Sequence, residues 1–170
     1  MFEGGRREYT GLYTPEQRAR RDATGWTLVQ AVLAPLQFFV FLVSVWLVLR
    51  FLLTGEGYAL ATGSIILKTG VLYLIMVTGC LWEKAVFGQY LFAAPFFWED
   101  VFSMAVLALH TAYIAGLITA ALSPRALMLL ALAAYATYVV NAAQFLLKLR
   151  AARRTAPVLA TAASLSVSRP

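Results

Sequence analysis

Residues 82–110 combine ionisable side chains with a strongly apolar surrounding sequence. Three of the eight acidic residues of the chain and its single histidine lie here. Glu83 precedes a short connection, Glu99 and Asp100 follow it, and His110 lies further along. Ionisable groups near a hydrocarbon phase are costly, so they usually face a protein interior, a cavity or a ligand. Carboxyl and imidazole groups are also side chains that commonly transfer protons in enzymes. This stretch is therefore the best candidate for the working site.

Composition indicates an integral membrane protein of one domain. Of the 170 residues, 61% are hydrophobic and 13% are charged, and mean hydropathy is +0.75. A soluble domain of this length could not cover so much apolar surface. The single cysteine, Cys80, excludes an intrachain disulfide and any site with several cysteine ligands. The net charge of +6 comes mainly from the two ends of the chain, so it bears on membrane orientation rather than on nucleic acid.

Four apolar segments are long enough to cross a hydrocarbon core about 30 Å thick, which takes roughly 20 helical residues. They predict an all-α fold, an integral membrane four-helix bundle with spans near residues 26–53, 61–86, 96–122 and 125–149. The predicted divisions are an N-terminal segment with a short amphipathic surface helix (1–23), the transmembrane domain (24–150) and a flexible C-terminal tail (151–170).

Local signals support these boundaries. Thr14-Pro15-Glu16-Gln17 has the form of a capped helix start. The glycine-rich residues 54–58 predict a turn, and Ser123-Pro124 predicts a serine N-cap followed by proline in the first helical turn. Pro35 lies inside the first span and should bend it or leave a carbonyl group free.

Basic residues flank the bundle at both ends. Five arginines precede the first span, and Lys148 and three arginines end the fourth. The positive-inside rule therefore places both termini in the cytoplasm, together with the connection between spans two and three. The first 23 residues are polar, so no cleavable signal peptide is expected. Lys68 is expected to extend to the outer surface of the membrane.

Polar residues also recur with helical spacing inside the spans. Their positions predict one polar face on each of spans one, three and four, and Glu83 brings span two to the same depth. Helices that pack with these faces inward would keep them from lipid. We therefore predict a polar-lined cavity that opens to the cytoplasmic side. Besides the ionisable residues, the side chains predicted to line it include Gln30, Gln37, Ser103, Tyr138, Asn141 and Gln144. Tyr90 and Trp98, in the aromatic run of residues 90–98, would suit the edge of a large flat ligand.

Structural roles compete with these functional ones. Asp100 lies where a carboxylate favours the positive end of a helix dipole. Glu83 lies near the end of a helix, where negative charge is disfavoured, so it needs a partner on another element. A single histidine in a membrane, such as His110, is often a hydrogen-bonded bridge between helices. Asn141 and Gln144 are often interhelical contacts, and the aromatic run around Trp98 suits the headgroup region.

Three long segments stand out as unusual in sequence. They are RRDATGWTLVQAVLAPLQFFVFLVS (20–44), WEKAVFGQYLFAAPFFWEDVFSMAVLALHTAY (82–113) and YATYVVNAAQFLLKLRAAR (135–153). They closely resemble the 3-vinyl bacteriochlorophyllide hydratase family (older name 2-vinyl bacteriochlorophyllide hydratase), and the similarity covers roughly residues 14–154.

The resemblance implies an enzyme of bacteriochlorophyll synthesis, a hydro-lyase in the inner or intracytoplasmic photosynthetic membrane. It would add water to the C3-vinyl group of a chlorophyllide-type magnesium tetrapyrrole and give the 3-(1-hydroxyethyl) product. No redox cofactor is associated with that step. The implied partners are the pigment and membrane lipid, with other bacteriochlorophyll-synthesis enzymes or a second copy of the chain as further candidates, and no nucleic acid.

Such a reaction needs a proton at the terminal vinyl carbon and water at the inner one, with carbocation character between the two steps. We predict that Glu83 or Glu99 is the acid, and that the other carboxylate, with Asp100, orients water and offsets positive charge. His110 is the candidate axial ligand to the pigment's magnesium, with proton transfer as its second role. Asn141, Gln144 and Gln30 would bind ring carbonyl groups or the water.

Other functions fit parts of the same pattern. A pigment-binding or photosynthetic-complex assembly protein could use the same residues without changing the pigment. A haem-b subunit usually needs two axial histidines, whereas this chain has one. A small transporter or channel is compatible with four spans and polar stripes.

Overall fold

The computed structural model describes residues 12–167, with the side chains of residues 149 and 152–167 left out. Predictions for residues 1–11 and 168–170 lie outside the described part. The described chain is all-helical, with α1 (Pro15–Ala23), α2 (Gly25–Thr54), α3 (Tyr58–Phe87), α4 (Phe97–Ile118) and α5 (Pro124–Val167). The predicted fold class is confirmed.

Four of these helices can span a membrane. α2, α3, α4 and the Pro124–Lys148 part of α5 are each long and apolar enough to cross the hydrocarbon core. Large apolar side chains such as Phe39, Trp46 and Leu67 are exposed on the outside of the bundle, where lipid replaces water as the solvent. The protein is therefore a membrane protein, and the direction in which it is inserted remains a prediction.

Short local signals determine where the helices begin and end. Thr14 and Gln17 form the predicted capping box at the start of α1. Gly55 and Gly57 have φ of 77° and 84° between α2 and α3, a backbone conformation that glycine adopts without steric penalty. The hydroxyl of Ser123 accepts a hydrogen bond from the Ala126 amide, as expected for an N-cap.

Two boundaries differ from the sequence prediction. α4 ends at Ile118 rather than near residue 122, and Ala120 just beyond it has φ of 50°, which breaks the helix. The backbone of residues 151–167 continues α5 as a helix, where the sequence predicted a flexible tail. The alanines of this segment have the highest helix propensity of any residue, so the helix can propagate beyond the membrane-spanning part.

The four long helices form two hairpins. α2 packs mainly on α3 and α4 mainly on α5, and the two pairs meet through less extensive α3–α4 and α2–α5 contacts. We call this second interface the inter-hairpin seam. Each loop within a hairpin is short, so sequential helices become antiparallel neighbours. The α3–α4 connection, residues 88–96, links the two hairpins at one end of the seam.

Polar side chains lie between the hairpins and are mostly paired. The Ser44 hydroxyl is 2.6 Å from the Tyr135 hydroxyl and 2.7 Å from the Ser64 hydroxyl, which joins α2, α3 and α5. The ring of Phe41 packs against Tyr135 and Tyr138. Hydrogen bonds of this kind compensate for keeping hydroxyl groups out of water.

Lys68 contradicts the prediction that its side chain reaches the outer surface. It is completely buried, and its ammonium nitrogen lies 4.0 Å from the centroid of the Tyr138 ring. The reason is its position on α3, since Lys68 shares a buried stripe with Ile65 and Leu72 at three- and four-residue spacing. That stripe faces the seam, so the side chain has no path to the headgroups.

Candidate functional site

Three carboxyl groups lie buried together where α3, α4 and the α3–α4 loop meet. Glu83 on the last turns of α3 is 5% exposed, and Glu99 and Asp100 in the first turn of α4 are 4% and 5% exposed. We call these three residues the carboxyl cluster. The cluster was predicted from the sequence, and the structure brings all three residues to one end of the seam.

Two successive backbone amides of the loop hold two of these carboxyl groups. The Phe92 N–H donates to Asp100 Oδ2 at 2.7 Å, and the Ala93 N–H donates to Glu83 Oε2 at 3.2 Å. Phe92 has φ of 59°, a left-handed conformation that is uncommon outside glycine. Such strain persists only where the surroundings hold it, and it often accompanies a functional site. The two hydrogen bonds provide that constraint here.

Glu83 and Asp100 are also electrostatic neighbours, since successive loop amides hold one carboxyl oxygen of each. An ionised carboxylate can only accept hydrogen bonds, so a hydrogen bond between two carboxyl groups requires one proton between them. Two negative charges in contact inside an apolar bundle would repel strongly, which favours the same singly protonated pair. The pair joins α3 to α4 and thus lies across the seam.

Glu99 has a different partner. Its Oε2 atom is 2.5 Å from the ammonium nitrogen of Lys148 on α5, and Lys148 also donates to the carbonyl oxygen of Pro95 in the loop. The ion pair joins Glu99 on α4 to α5, and the second bond of Lys148 ties α5 to the loop. The sequence placed Lys148 among the basic residues that end the fourth span but did not reveal this pairing.

The predicted polar-lined cavity that opens to the cytoplasmic side stays a prediction. The loop covers the carboxyl cluster, because its amides donate to two of the three acids. A groove of about 370 Å³ lies elsewhere, on the lipid-facing side of α2 and α3. Its lining is apolar apart from Thr78, and the other residues that line it are Leu28, Val29, Val32, Leu33 and Leu74. Access to the acids therefore requires separation of the hairpins or displacement of the loop.

Aromatic rings surround the loop side of the cluster, and sequence reasoning missed this arrangement. Phe96 contacts the rings of Tyr13, Trp82, Phe87 and Phe145, with centroid distances between 5.6 and 6.3 Å. Burial raises the pKa of the Tyr13 phenol, although the nearby Arg21 guanidinium opposes the shift. Only the dense aromatic content of this region hinted at such a cluster. These ring contacts pack Tyr13, in the segment before α1, against the loop that covers the acids.

A second polar pair lies one turn further into the bundle. The Asn141 side-chain amide on α5 donates to the Ser103 hydroxyl on α4 at 2.8 Å, and both residues are buried. Asn141 Oδ1 and Gln144 Oε1 are buried without a hydrogen-bond partner among the described residues. The oxygens of Asn141 and Gln144 are therefore acceptor atoms free for a ligand or water.

His110 lies deeper still and is not part of the carboxyl cluster. It is ten residues beyond Asp100 on α4, which corresponds to about 15 Å along a helix axis. Its Nδ1 atom lies 2.8 Å from the Val106 carbonyl oxygen. Because a carbonyl oxygen only accepts, Nδ1 carries a proton and, in the neutral ring, Nε2 keeps its lone pair. Nε2 is buried and has no partner among the described residues.

The remaining predicted residues divide into two groups. Gln37 and Tyr138 are buried, and Gln30 bonds the Thr78 hydroxyl on α3 at 2.7 Å, so these three face neighbouring helices. Tyr90 and Trp98 are 57% and 65% exposed, and neither belongs to the buried cluster. Their exposure agrees with the headgroup role considered for the aromatic run. The described residues contain no group of three or more His, Cys, Asp or Glu side chains that could hold a metal ion.

Comparisons with known proteins point to one family. The family model described as 2-vinyl bacteriochlorophyllide hydratase matches residues 13–151. A protein named 2-vinyl bacteriochlorophyllide hydratase from Cereibacter sphaeroides is 68% identical over 143 residues, which cover 84% of this chain and 88% of that protein. One of the same name from Rhodobacter capsulatus is 68% identical over 142 residues, which cover 84% of this chain and 82% of that protein. No solved structure matches the chain.

Proposed function

The chain belongs to the 2-vinyl bacteriochlorophyllide hydratase family, and from this premise we propose that it adds water to the vinyl group of a chlorophyllide-type magnesium tetrapyrrole. The product would carry a 1-hydroxyethyl group in place of the vinyl group. This is a hydro-lyase activity in bacteriochlorophyll biosynthesis. The matched region contains the four membrane-spanning helices and every member of the carboxyl cluster.

The observation that carries the chemistry is the pair of successive loop amides that hold Glu83 and Asp100 side by side across the seam. A pair that shares one proton holds an acid and a base at the same place. Hydration of an alkene needs both, since a proton is added to one carbon and removed from the attacking water. The structure therefore favours Glu83, with Asp100, over Glu99 as the source of the proton, because Glu99 is ion-paired to Lys148.

The reaction can be written in two steps that balance. The shared proton passes to the terminal vinyl carbon, where the alkene electron pair forms the new C–H bond. Positive charge develops on the inner carbon and spreads into the macrocycle, while the carboxyl pair carries one more negative charge. Water then attacks the inner carbon and gives its proton back to the pair. The extra negative charge stabilises the cation in a site that excludes bulk water.

A flat macrocycle fits the interface between two hairpins better than the interior of one. The acids come from α3 on one hairpin and from α4 on the other, so a ligand in the seam meets both. Contacts between the hairpins are less extensive than those within them, which makes their separation the less costly route. The loop amides of Phe92 and Ala93 then orient the carboxyl oxygens toward the ligand.

Deleting the gene in its phototrophic host tests substrate and reaction together. We expect the deletion strain to accumulate pigments that keep the 3-vinyl group, because the step that consumes them is lost. Extracted pigments separated by chromatography and identified by mass give the readout. Restoring the gene should restore the hydroxyethyl products. A strain with less pigment but an unchanged side chain would indicate a carrier or assembly protein and would contradict the hydratase assignment.

We also propose His110 as the axial ligand of the substrate's magnesium ion. Its support is the unpartnered Nε2 lone pair inside the bundle and the backbone bond that orients the ring. We expect His110→Leu to weaken binding of the magnesium pigment at least tenfold, about 1.4 kcal/mol, and to leave binding of the magnesium-free pigment unchanged. Fluorescence titration of both pigments on the purified protein is the measurement. If the variant bound both pigments more weakly by the same factor, His110 would have a packing role instead.

The cellular setting follows from the same proposal. We place the protein in the inner or intracytoplasmic photosynthetic membrane, in contact with lipid and its pigment substrate. Enzymes that make or use neighbouring intermediates, or a second copy of the chain, are its candidate protein partners. Four apolar helices and strongly basic flanking segments support this setting.

A further inference from the structure

Seven buried polar side-chain atoms have no hydrogen-bond partner among the described residues. Four of these come one from each long helix. They are Gln37 Oε1, Lys68 Nζ, His110 Nε2 and Asn141 Oδ1, and their residues are at most 9% exposed. We call these four residues the inner polar layer. Buried polar groups in proteins are nearly always paired, so several unpaired ones in one region indicate a missing ligand or water.

Lys68 is the member that identifies the ligand's charge. An ammonium group without a partner inside a low-dielectric bundle is strongly destabilising. The Tyr138 ring at 4.0 Å offsets part of this through a cation–π contact. His110, its ionisable neighbour across the seam, donates to a backbone carbonyl and supplies no negative charge.

No acidic side chain of the described residues balances this charge. Glu99 is ion-paired with Lys148, and Glu83 is bonded to the loop and lies fifteen residues from Lys68, about 22 Å along the axis of α3. The counter-ion must therefore come from outside the chain. A carboxylate suits an ammonium group that has three free donors.

We propose that Lys68 binds the propionate carboxylate of the pigment substrate. The proposal rests on the function proposed above and extends it, since a chlorophyllide is the free-acid form of the pigment. The carboxyl cluster and the inner polar layer are about 15 Å apart along α4, from Asp100 to His110. Lys68 lies further from the acids, about 22 Å from Glu83 along the axis of α3. A macrocycle in the seam would lie between them, with its vinyl group toward the acids and its carboxylate toward Lys68.

The test compares the vinyl pigment as free acid with its methyl ester, which lacks only that charge. For the purified full-length protein we expect KM to be at least tenfold lower for the acid and kcat to differ less than threefold, because the contact is remote from the reacting carbons. Lys68→Met should raise KM for the acid to the ester's value and leave the ester's KM unchanged. Lys68→Arg should keep part of the preference for the free acid over the ester. Arg50→Met, which removes an exposed cation of α2, should keep all of it.

Thermal unfolding separates this role from a structural one. Lys68→Met is expected to keep or raise Tm, because an apolar side chain of similar length replaces an unpaired buried charge. A lower Tm together with equal losses for acid and ester would overturn the proposal. Equal wild-type KM values for acid and ester would also overturn it, and would leave the hydratase function intact.

Binding titrations keep the test independent of turnover. If the wild-type protein hydrated neither pigment, the proposed function would fail, and the same comparison of acid and ester by fluorescence would still decide on Lys68. Tighter binding of the acid that Lys68→Met abolishes supports the proposal. Binding of a fatty acid such as oleate that depends on Lys68, with no discrimination between the two pigments, would assign the counter-ion to a lipid and overturn it.

Discussion

Replacing Glu83 with glutamine is expected to lower the rate of vinyl hydration by about 10²- to 10⁴-fold, the usual contribution of a positioned acid or base. The protein should remain folded. A glutamine oxygen can still accept from the Ala93 amide, and its NH₂ group can donate to Asp100 in place of the shared proton. What the variant loses is the proton that the reaction transfers. The measurement is kcat on purified protein, with Tm as the check on folding.

Asp100→Asn should produce a loss of similar size, since both residues hold the same proton. The double variant should be little worse than either single one, because groups that act as a unit are strongly non-additive. Glu56→Gln, an exposed acid in the α2–α3 turn, is the matched control and should retain normal turnover. Near wild-type kcat in both Glu83→Gln and Asp100→Asn would refute the assignment of the proton to this pair.

Lys148→Met is expected to destabilise the protein more than any other single change at the site. It leaves the Glu99 carboxylate, which is 5% exposed on its side chain, without its ion-pair partner. Breaking a buried pair in this way typically costs about 3–5 kcal/mol. The Lys148 side chain is 25% exposed, so we expect an effect at the lower end of that range, which appears as a fall of several degrees in Tm. The link from α5 to the Pro95 carbonyl is lost as well.

The double variant Glu99→Gln/Lys148→Met distinguishes a broken ion pair from lost packing. It removes both charges, so most of the lost stability should return. Arg150→Met, at an exposed position two residues further along α5, should leave Tm unchanged. A Tm of Lys148→Met equal to that of the wild type, or a double variant as unstable as the single one, would show that the pair contributes no stability.

Glu83 and Asp100 have a structural role that coexists with the proposed chemical one. Their oxygens accept from Phe92 and Ala93 and so hold a strained loop over the seam. A purely structural role predicts that Glu83→Gln, which preserves an acceptor, has normal activity and normal Tm. The proposed acid role predicts lost activity with normal Tm. The two readouts together therefore decide between the two roles.

The sequence alone determined the local features of this protein. The four spans follow from hydrophobic length, because a helix must cover the hydrocarbon core with apolar residues. The α1 and α5 starts follow from Thr14, Ser123 and Pro124, whose capping chemistry is local. The inward stripe of α4, with Glu99, Ser103 and His110 all buried, follows from helical periodicity. These features need no knowledge of what lies opposite.

Only the tertiary structure decided which groups are partners. Periodicity identifies the face of a helix on which a residue lies but not the atoms that the face meets. Glu99 was therefore an equal candidate for the acid until its ion pair with Lys148 was seen. Lys68 was expected at the surface, because a flexible side chain can extend either toward the headgroups or into the bundle. The packing of the two hairpins buries the stripe of α3 that contains Lys68 in the seam. The side chain therefore cannot extend toward the headgroups.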